Sequence, residues 1–570
     1  MSCEFVRRAA VRFVGRMKYW LPFPGFLCLT QSMRRRHLIL ILGFAVAVIL
    51  GYWLAGTATT HQARVEQPKS VSVGKRTVPA DDPEPRFRKA LRAPIFRRDV
   101  EATKAGALPG QRIIVFKNQN SLENFLKRAR ESVRLMGRLD ALHALRIGIL
   151  NPDTLASLLE GGEEASFVFP VDVPPAPRNG KAQAGAVALG AGLLEWLGIT
   201  VENSTWGKGI RIAVLDTGVA NSPAFSTAIS SVNLVDLPMD LTQQNGHGTA
   251  AASMIIGRSS QTPGVAPASE ILSFRIANDL GQSDSFLLAK GIVAAVDAGA
   301  ALINISMGSD GDSVLVRNAI DYASASGALI IAAAGNNGTD QVSYPAANDG
   351  VIAVGAVDAL GNHLDFSNTG NQIEVAAPGF GINAAWTNDQ AASVSGTSFS
   401  APIIAGAIAA VKSFPGNENL TMRQAADVLF SYLNDGGAAG TDTALGGGTP
   451  DLGRVLNGKT PGIYDAAVAA QTILPPSPGF PYGQVEVLIQ NRGTETLINT
   501  GVRISTPSGV VLSNITTLPV NAVQTVRVPI TQQSAASMSF DSSVSLFGGR
   551  TDAKPSNDRR VDTYVPSVSH

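Results

Sequence analysis

The sequence predicts an α/β protein: a parallel sheet with helices on both faces, preceded by a small α+β unit and followed by a β-sandwich. Three patterns carry that expectation. Residues 210–215, 271–274, 301–306, 328–333 and 351–357 are short runs, mostly apolar, and helical segments such as 286–298 and 314–326 lie between them. Strands without polar alternation are buried on both faces, and the intervening helices provide the cover. Beyond residue 480 the period changes to two: Val485, Val487 and Ile489, then Val502 and Ile504, then Val526, Val528 and Ile530 alternate with other residues. Asn491-Arg492-Gly493 and Pro507-Ser508-Gly509 supply the turns between such strands. The third pattern is the mixed stretch 111–173. A strand at 112–116 precedes Leu122, Phe125, Leu126, Ala129, Val133 and Met136 on one helical face. A second strand is expected near 142–150, then a helix opened by Asn151-Pro152, then a strand over 166–173.

The 570 residues suffice for roughly two to four domains. Lysine plus arginine number 46 against 45 acidic residues, so charge gives no pointer to nucleic acid. The two cysteines, Cys3 and Cys28, precede an apolar leader, so an exported product has neither a disulfide nor a cysteine nucleophile. That leader is Arg34-Arg35-Arg36 followed by the uncharged stretch 38–55, with Met33 as an alternative start and Gly56-Thr57-Ala58 as a cleavage site. Residues 1–58 are therefore expected to be a signal peptide or a membrane anchor, with everything downstream outside the cytoplasm. Residues 59–107 read as a linker and 108–176 as the α+β domain. A proline- and glycine-rich linker open to processing follows over 177–195, then the parallel-sheet domain over 196–460. Residues 461–480 read as a further linker and 481–566 as the sandwich.

The chemistry centres on Ser395-Gly396-Thr397-Ser398-Phe399-Ser400-Ala401-Pro402. Ile403, Ile404, Ala407, Ile408 and Val411 follow at helical spacing, which puts Ser398 at a helix amino terminus. There the unpaired N–H groups and the helix dipole favour a developing oxyanion. Pro402 is expected in the early turn, where a missing N–H is tolerated. A serine nucleophile needs a base, and the base needs an orienting group. Of six histidines, His247 and His363 fall in the parallel-sheet region. His247 sits in Asn245-Gly246-His247-Gly248-Thr249, where the glycines allow close approach. His363 lies between a strand and a polar turn and reads as a surface residue. Asp216 ends the apolar run 212–215; a carboxylate there needs a hydrogen-bond partner, which an imidazolium supplies. An aspartic-protease reading of Asp216-Thr217-Gly218 fails, because two such carboxylates must share a proton and one motif is present. An α/β-hydrolase needs Gly-x-Ser-x-Gly and the order Ser, Asp, His; here the order is Asp216, His247, Ser398 in a Gly-x-Ser-x-Ser context.

The segments around Asp216, His247 and Ser398 together resemble the three catalytic blocks of the subtilisin-like serine peptidases. Gly264-Val265-Ala266-Pro267 and residues 351–356 are further matches. The resemblance implies a subtilisin-like fold over about 200–455 and an exported, self-processing endopeptidase acting on polypeptides. It implies Ser398 as nucleophile, His247 as base and Asp216 as the group that holds the imidazole. Asn336, in Ala333-Ala334-Gly335-Asn336, would complete an oxyanion hole with the Ser398 N–H. Ser306, Met307 and Gly308 would pair with substrate backbone, and Ala333, Ala334 and Gly335 would wall the first specificity pocket. Residues 111–174 resemble the family's propeptide, which implies a folding aid and intramolecular inhibitor carried by the chain itself. The last domain resembles Ig-like adhesion modules of bacterial surface proteins, which implies a surface for protein binding.

No cofactor is implied with certainty. A structural calcium ion is allowed, but residues 257–264 form a shorter segment than the family's tight calcium loop. Ala250-Ala251-Ala252-Ser253 also lacks the second histidine common in the family. The alternative reading is a catalytically weak binding or adhesion protein on the same scaffold. No residue of the expected catalytic set is missing.

Overall fold

The computed structural model describes residues 101–564 apart from 130–131, 150–151, 160–162, 175–184, 226–228, 236–244 and 532–536. The expected leader, most of the linker 59–107 and the first part of the processing linker lie outside the described residues. Among the described residues no helix is long and apolar enough to cross a membrane.

The small α+β unit runs β1 (Gln111–Val115), α1 (Gln119–Ala129), β2 (Val133–Leu139), β3 (Ala144–Ile149), α2 (Pro152–Leu158) and β4 (Glu164–Phe167). Its sheet has the order β2-β3-β1-β4 and is antiparallel throughout. Ile114, Phe116, Leu122, Phe125, Leu145 and Ile147 form its core. Two sequence expectations fail here. Val133 and Met136 extend the period of α1 but lie in β2, where Val133 pairs with Ile149 of β3 and Met136 falls at the register shift between Leu135 and Gly137. Ladder pairing with an adjacent strand overrides a three-residue spacing that helix and strand both tolerate. The expected strand 166–173 is also split. Pairing with β1 ends at Phe167, opposite Arg112 near the start of that strand. β5 (Pro170–Asp172) instead leaves this sheet and pairs with Gln282–Asp284 of the next unit.

That unit is built on seven parallel strands. In chain order they are β6 (Arg211–Asp216), β7 (Ser230–Asn233), β10 (Glu270–Arg275), β12 (Leu302–Ile305), β13 (Leu329–Ala333), β14 (Val351–Val357) and β15 (Ile373–Pro378). The small pairs β8 (Arg258–Ser259) with β9 (Thr262–Pro263) and β11 (Gln282–Asp284) with β5 fall between them. The spatial order is β15-β14-β13-β12-β6-β10-β7. Alternate residues face opposite cores, as the strand period requires. Ile212, Val214, Ile331 and Val354 pack toward α3 (His247–Ile256) and α6 (Thr397–Lys412). Ala213, Leu215, Ile303 and Ile330 pack toward α4 (Ser285–Asp297) and α5 (Val314–Ala325). The parallel sheet with helices on both faces is the expected fold class. Two edge strands were not legible: β7 is exposed at every residue, so it carries no apolar run, and β15 lies at the opposite edge. A further hairpin, β16 (Ile382–Ala385) with β17 (Ala391–Val394), precedes α6.

The carboxyl-terminal region contains β18 (Ala466–Leu474), β19 (Gln484–Asn491), β20 (Leu497–Thr506), β21 (Gly509–Leu518), β22 (Val523–Pro529), β23 (Met538–Ser545) and β24 (Arg559–Tyr564). They form sheets β18-β19-β22 and β21-β20-β23-β24 around a shared core of Val487, Ile489, Val502, Ile504 and Phe540. β18 occupies residues read as linker. Its alanine-rich sequence does not alternate in polarity, because residues 466–470 are buried on both faces. Arg454 joins this region to the rest, donating to the carbonyls of Tyr432 and Leu433 at 3.0 and 2.9 Å and to the Arg492 carbonyl at 3.2 Å. Burial lowers its guanidinium to about 10.

Burial, with Asp552 and Asp465 close by, pushes the Asp558 carboxyl up to about 6 from an ordinary 3.8. A carboxyl that holds its proton more tightly folded than unfolded makes the fold lose stability as pH rises between those two values. Asp558→Asn is expected to raise the thermal midpoint at about pH 7, with little gain near pH 4 where the wild-type carboxyl is protonated. An equal gain at both pH values in a melting experiment would assign the effect to packing instead.

Candidate active site

Three side chains meet at the carboxyl edge of the parallel sheet, where open α/β folds collect their chemistry. Asp216 is the last residue of β6, His247 opens α3, and Ser398 is the second residue of α6. Their exposures are 0%, 6% and 2%, so all three side chains are largely buried. His247 Nδ1 lies 2.9 Å from both Asp216 Oδ1 and Oδ2. Oδ1 also accepts the Thr217 N–H at 2.7 Å. The two loops are latched together by Thr217, whose Oγ1 donates to the Asn245 carbonyl at 3.0 Å and accepts the Gly248 N–H at 3.2 Å. A Cβ on Gly248 would come 2.4 Å from the Gly218 carbonyl oxygen, which is why this loop needs glycine there. Phe399 backs the imidazole with ring centroids 5.1 Å apart.

Ser398 and His247 line one cavity of about 410 Å³ together with Asn245, Asn336, Trp386 and Phe399. The hydrogen bond that would join them is not formed; Ser398 Oγ has no partner among the described residues. Such bonds are commonly long without substrate and tighten when it binds. Gly396 caps α6 at φ 136, a conformation open to glycine, and a Cβ there would sit 2.8 Å from Asn336 Nδ2. Asn336 Oδ1 accepts both the N–H and the Oγ1–H of Thr397, at 2.9 and 2.7 Å. Its NH₂ end is thereby left to donate, at the cavity that holds Ser398.

Pro402 lies inside α6, beyond the early turn expected for it. In a helix its N–H would have bonded the carbonyl four residues back, that of Ser398. Ser306 takes over: its Oγ donates to the Ser398 carbonyl at 2.6 Å and accepts from Asn304 Nδ2 at 2.9 Å. So the side chain of Ser306 turns inward. Met307 is wholly buried, and Gly308 exchanges two backbone bonds of 3.0 Å with Asp172. Ala333 and Ala334 are buried at the end of β13. Gly335 and Ser343 border a second cavity of about 270 Å³ that Asn336 and Gly308 also line. Asn368, which nothing in the sequence singled out, shapes this loop: Oδ1 accepts the N–H groups of Asn337 and Thr339, and Nδ2 donates to the Ala334 carbonyl. Thr217 and Thr397 carried a signal only as neighbours of Asp216 and Ser398.

His363 lines neither cavity. It is half-buried, not a surface residue, and burial lowers its imidazole from the ordinary value. Among the described residues no group of three or more histidine, cysteine, aspartate or glutamate side chains could hold a metal ion. Residues 257–264 are taken up by the β8–β9 hairpin.

An unmet buried acceptor costs about 1–3 kcal/mol. Ser306→Ala is therefore expected to lower kcat for peptide hydrolysis about tenfold with KM little changed. Adding Pro402→Ala restores a helix N–H for the Ser398 carbonyl and is expected to recover most of that loss. Steady-state kinetics giving equal losses for the single and double variants would rule this out.

Residues 207–448 match the sequence model of the subtilase family. The thermostable alkaline protease of Halalkalibacterium halodurans is 35% identical over 252 residues, 44% of this chain and 68% of that protein. Subtilisin DY of Bacillus licheniformis is 34% identical over 213 residues, 36% of this chain and 78% of that protein. Among solved structures, the protease domain of PatA is 30% identical, with a TM-score of 0.42 over 45% of this chain and 97% of that one. With a parallel-sheet domain of the expected class and relatives matched over two thirds or more of their length, the chain belongs to the subtilase family of serine endopeptidases.

Proposed function

We propose that the chain is an exported endopeptidase, made as a self-processing zymogen, that cleaves polypeptides through Asp216, His247 and Ser398. The observation that carries this is the His247 Nδ1 contact of 2.9 Å to both oxygens of a fully buried Asp216, in a site whose cavity also contains Ser398. Asp216 fixes the tautomer and leaves Nε2 to take the Ser398 proton. Ser398 Oγ attacks the peptide carbonyl, and the oxyanion receives the Asn336 NH₂ group and the Ser398 N–H at the start of α6. The proton on His247 then goes to the leaving nitrogen, and water releases the acyl group by the reverse steps.

The zymogen reading is supported by the path of the small α+β unit. Its strand β5 ends at the cavity of Ser398, which Val173 and Pro174 line. Arg146 Nη1 donates to Asp284 Oδ2 at 2.7 Å, while Oδ1 of the same carboxylate caps α4 by accepting the N–H groups of Phe286 and Leu287. Export is supported by the basic and apolar run 34–58. The exposed Val510, Val511 and Leu512 on β21 support a protein-binding role for the last domain.

A fluorophosphonate probe is expected to label processed wild type at Ser398 and to leave Ser398→Ala unlabelled; an unreactive processed wild type rejects the reading. Asn336→Ala is expected to lower kcat by about 10²–10³, the loss known for removal of the oxyanion-hole asparagine of subtilisin. A loss confined to KM would remove Asn336 from the oxyanion hole. Residues 108–180, added in trans, are expected to inhibit the mature enzyme at micromolar concentration in a peptide-hydrolysis assay.

A further inference from the structure

The segment that leaves the small α+β unit lays one aromatic side chain on the parallel-sheet domain before it reaches the cavity of Ser398. Phe169 is 6% exposed. Its N–H donates to Ser285 Oγ at 3.1 Å, and its carbonyl accepts the Ser285 N–H at 2.8 Å. The ring stands where residue 311 would carry a side chain: a Cβ on Gly311 would lie 2.0 Å from the ring Cδ1 and 2.3 Å from Cγ. Gly311 does not have the positive φ that calls for glycine, so what its missing side chain provides is room. The domain holds this seat by its own bonds. The Gly311 N–H donates to Ser309 Oγ at 3.1 Å, and Ser309 exchanges backbone bonds of 2.9 and 2.8 Å with Tyr344.

Beyond the seat the segment is bound through backbone. β5 pairs with β11, the Val173 N–H donates to the Gly281 carbonyl at 2.8 Å, and Asp172 exchanges two bonds of 3.0 Å with Gly308. Main-chain pairing of this kind accepts any sequence, so selection falls to the side-chain seats. Two side chains, two residues apart, turn onto the domain: Phe169 on Gly311, and Val171, 1% exposed, in the apolar cluster of Phe274, Leu288 and Leu315.

We propose that once the small unit has left, the seat on Gly311 is a subsite for an aromatic side chain of the polypeptide substrate, three residues ahead of the residue that pairs with Gly308. The proposal deepens the endopeptidase reading and rests on Ser398 being the nucleophile and on the small unit leaving. A substrate strand that enters along β11 meets the same backbone groups of Gly281, Ser285 and Gly308. The exchange with Gly308 fixes its register, since a slip of one residue turns every side chain to the other face. The third residue upstream then arrives at Gly311. A flat ring makes dispersion contact with the bare glycine backbone over its face, whereas a methyl group leaves most of the seat unfilled.

The test uses mature enzyme purified from the full chain after processing. Its substrates are peptides of one background, each with a single phenylalanine moved from the fourth to the eighth residue ahead of the cut bond, which is located by mass. Wild type is expected to show a position at which phenylalanine raises kcat/KM about tenfold or more over alanine, with no gain at the residues on either side. In Gly311→Ala, combined with Phe169→Ala so that the small unit still docks, the ratio between those two peptides is expected to fall to near one. A wild-type scan without such a position overturns the proposal however the variant folds, and so does a ratio that survives in the variant. Fluorophosphonate labelling keeps the parent reading apart. A labelled enzyme that cleaves the peptides without regard to phenylalanine rejects the subsite alone, and an unlabelled processed chain that cleaves none rejects the endopeptidase reading with it.

Discussion

The burial of α6 along nearly its whole length is the constraint on which the rest of the site depends. Residues 397–411 are all buried, packed against α3 and the parallel strands. A helix held on every side cannot shift to suit its first residues, so its amino terminus is a fixed point at the carboxyl edge of the sheet. α3 starts at the same edge and packs on α6, and it brings His247 with it. The close fit explains the local exceptions. Gly396 accepts a positive φ beside Asn336, and Gly248 passes the Gly218 carbonyl without a side chain. Pro402 breaks the helix ladder at the carbonyl of Ser398, and Ser306 supplies the missing donor from the neighbouring strand end.

The electrostatics follow from that burial. Asp216 is a carboxylate taken wholly out of water, and its compensation is the His247 ring and the Thr217 N–H. Buried contacts of this kind are stronger than they would be in solvent, and they orient the imidazole. Thr217 binds both the Asn245 carbonyl and the Gly248 N–H, so the acid loop and the histidine loop are tied together. Asn336 is oriented in the same way, by spending its oxygen on Thr397.

The small α+β unit uses the same edge from outside. Arg146 reaches the carboxylate that caps α4, Phe169 and Ser285 exchange hydrogen bonds, and β5 adds to β11 before pairing with Gly308. Apart from the Ser285 hydroxyl, the parallel-sheet domain makes these contacts with backbone or with the carboxylate that caps α4. The unit therefore docks on surfaces already ordered by the fold.

The sequence by itself determined the parallel-sheet class and the candidate residues. Five strands were legible because burial on both faces leaves apolar runs, and Asp216, His247 and Ser398 were legible because small residues and glycines surround them. The pattern also indicated period-two strands in the last region. What lay beyond it was set by contacts between distant residues. Val133 and Met136 fit a helical period, yet the ladder with β3 made them a strand. β18 showed no alternation because residues 466–470 meet protein on both faces. The turning of Ser306 toward Ser398, the role of Asn368 and the departure of β5 from its own sheet required the tertiary structure. Periodicity reports which faces of an element are buried, whereas the partner of a particular hydrogen bond depends on which distant groups packing brings within reach.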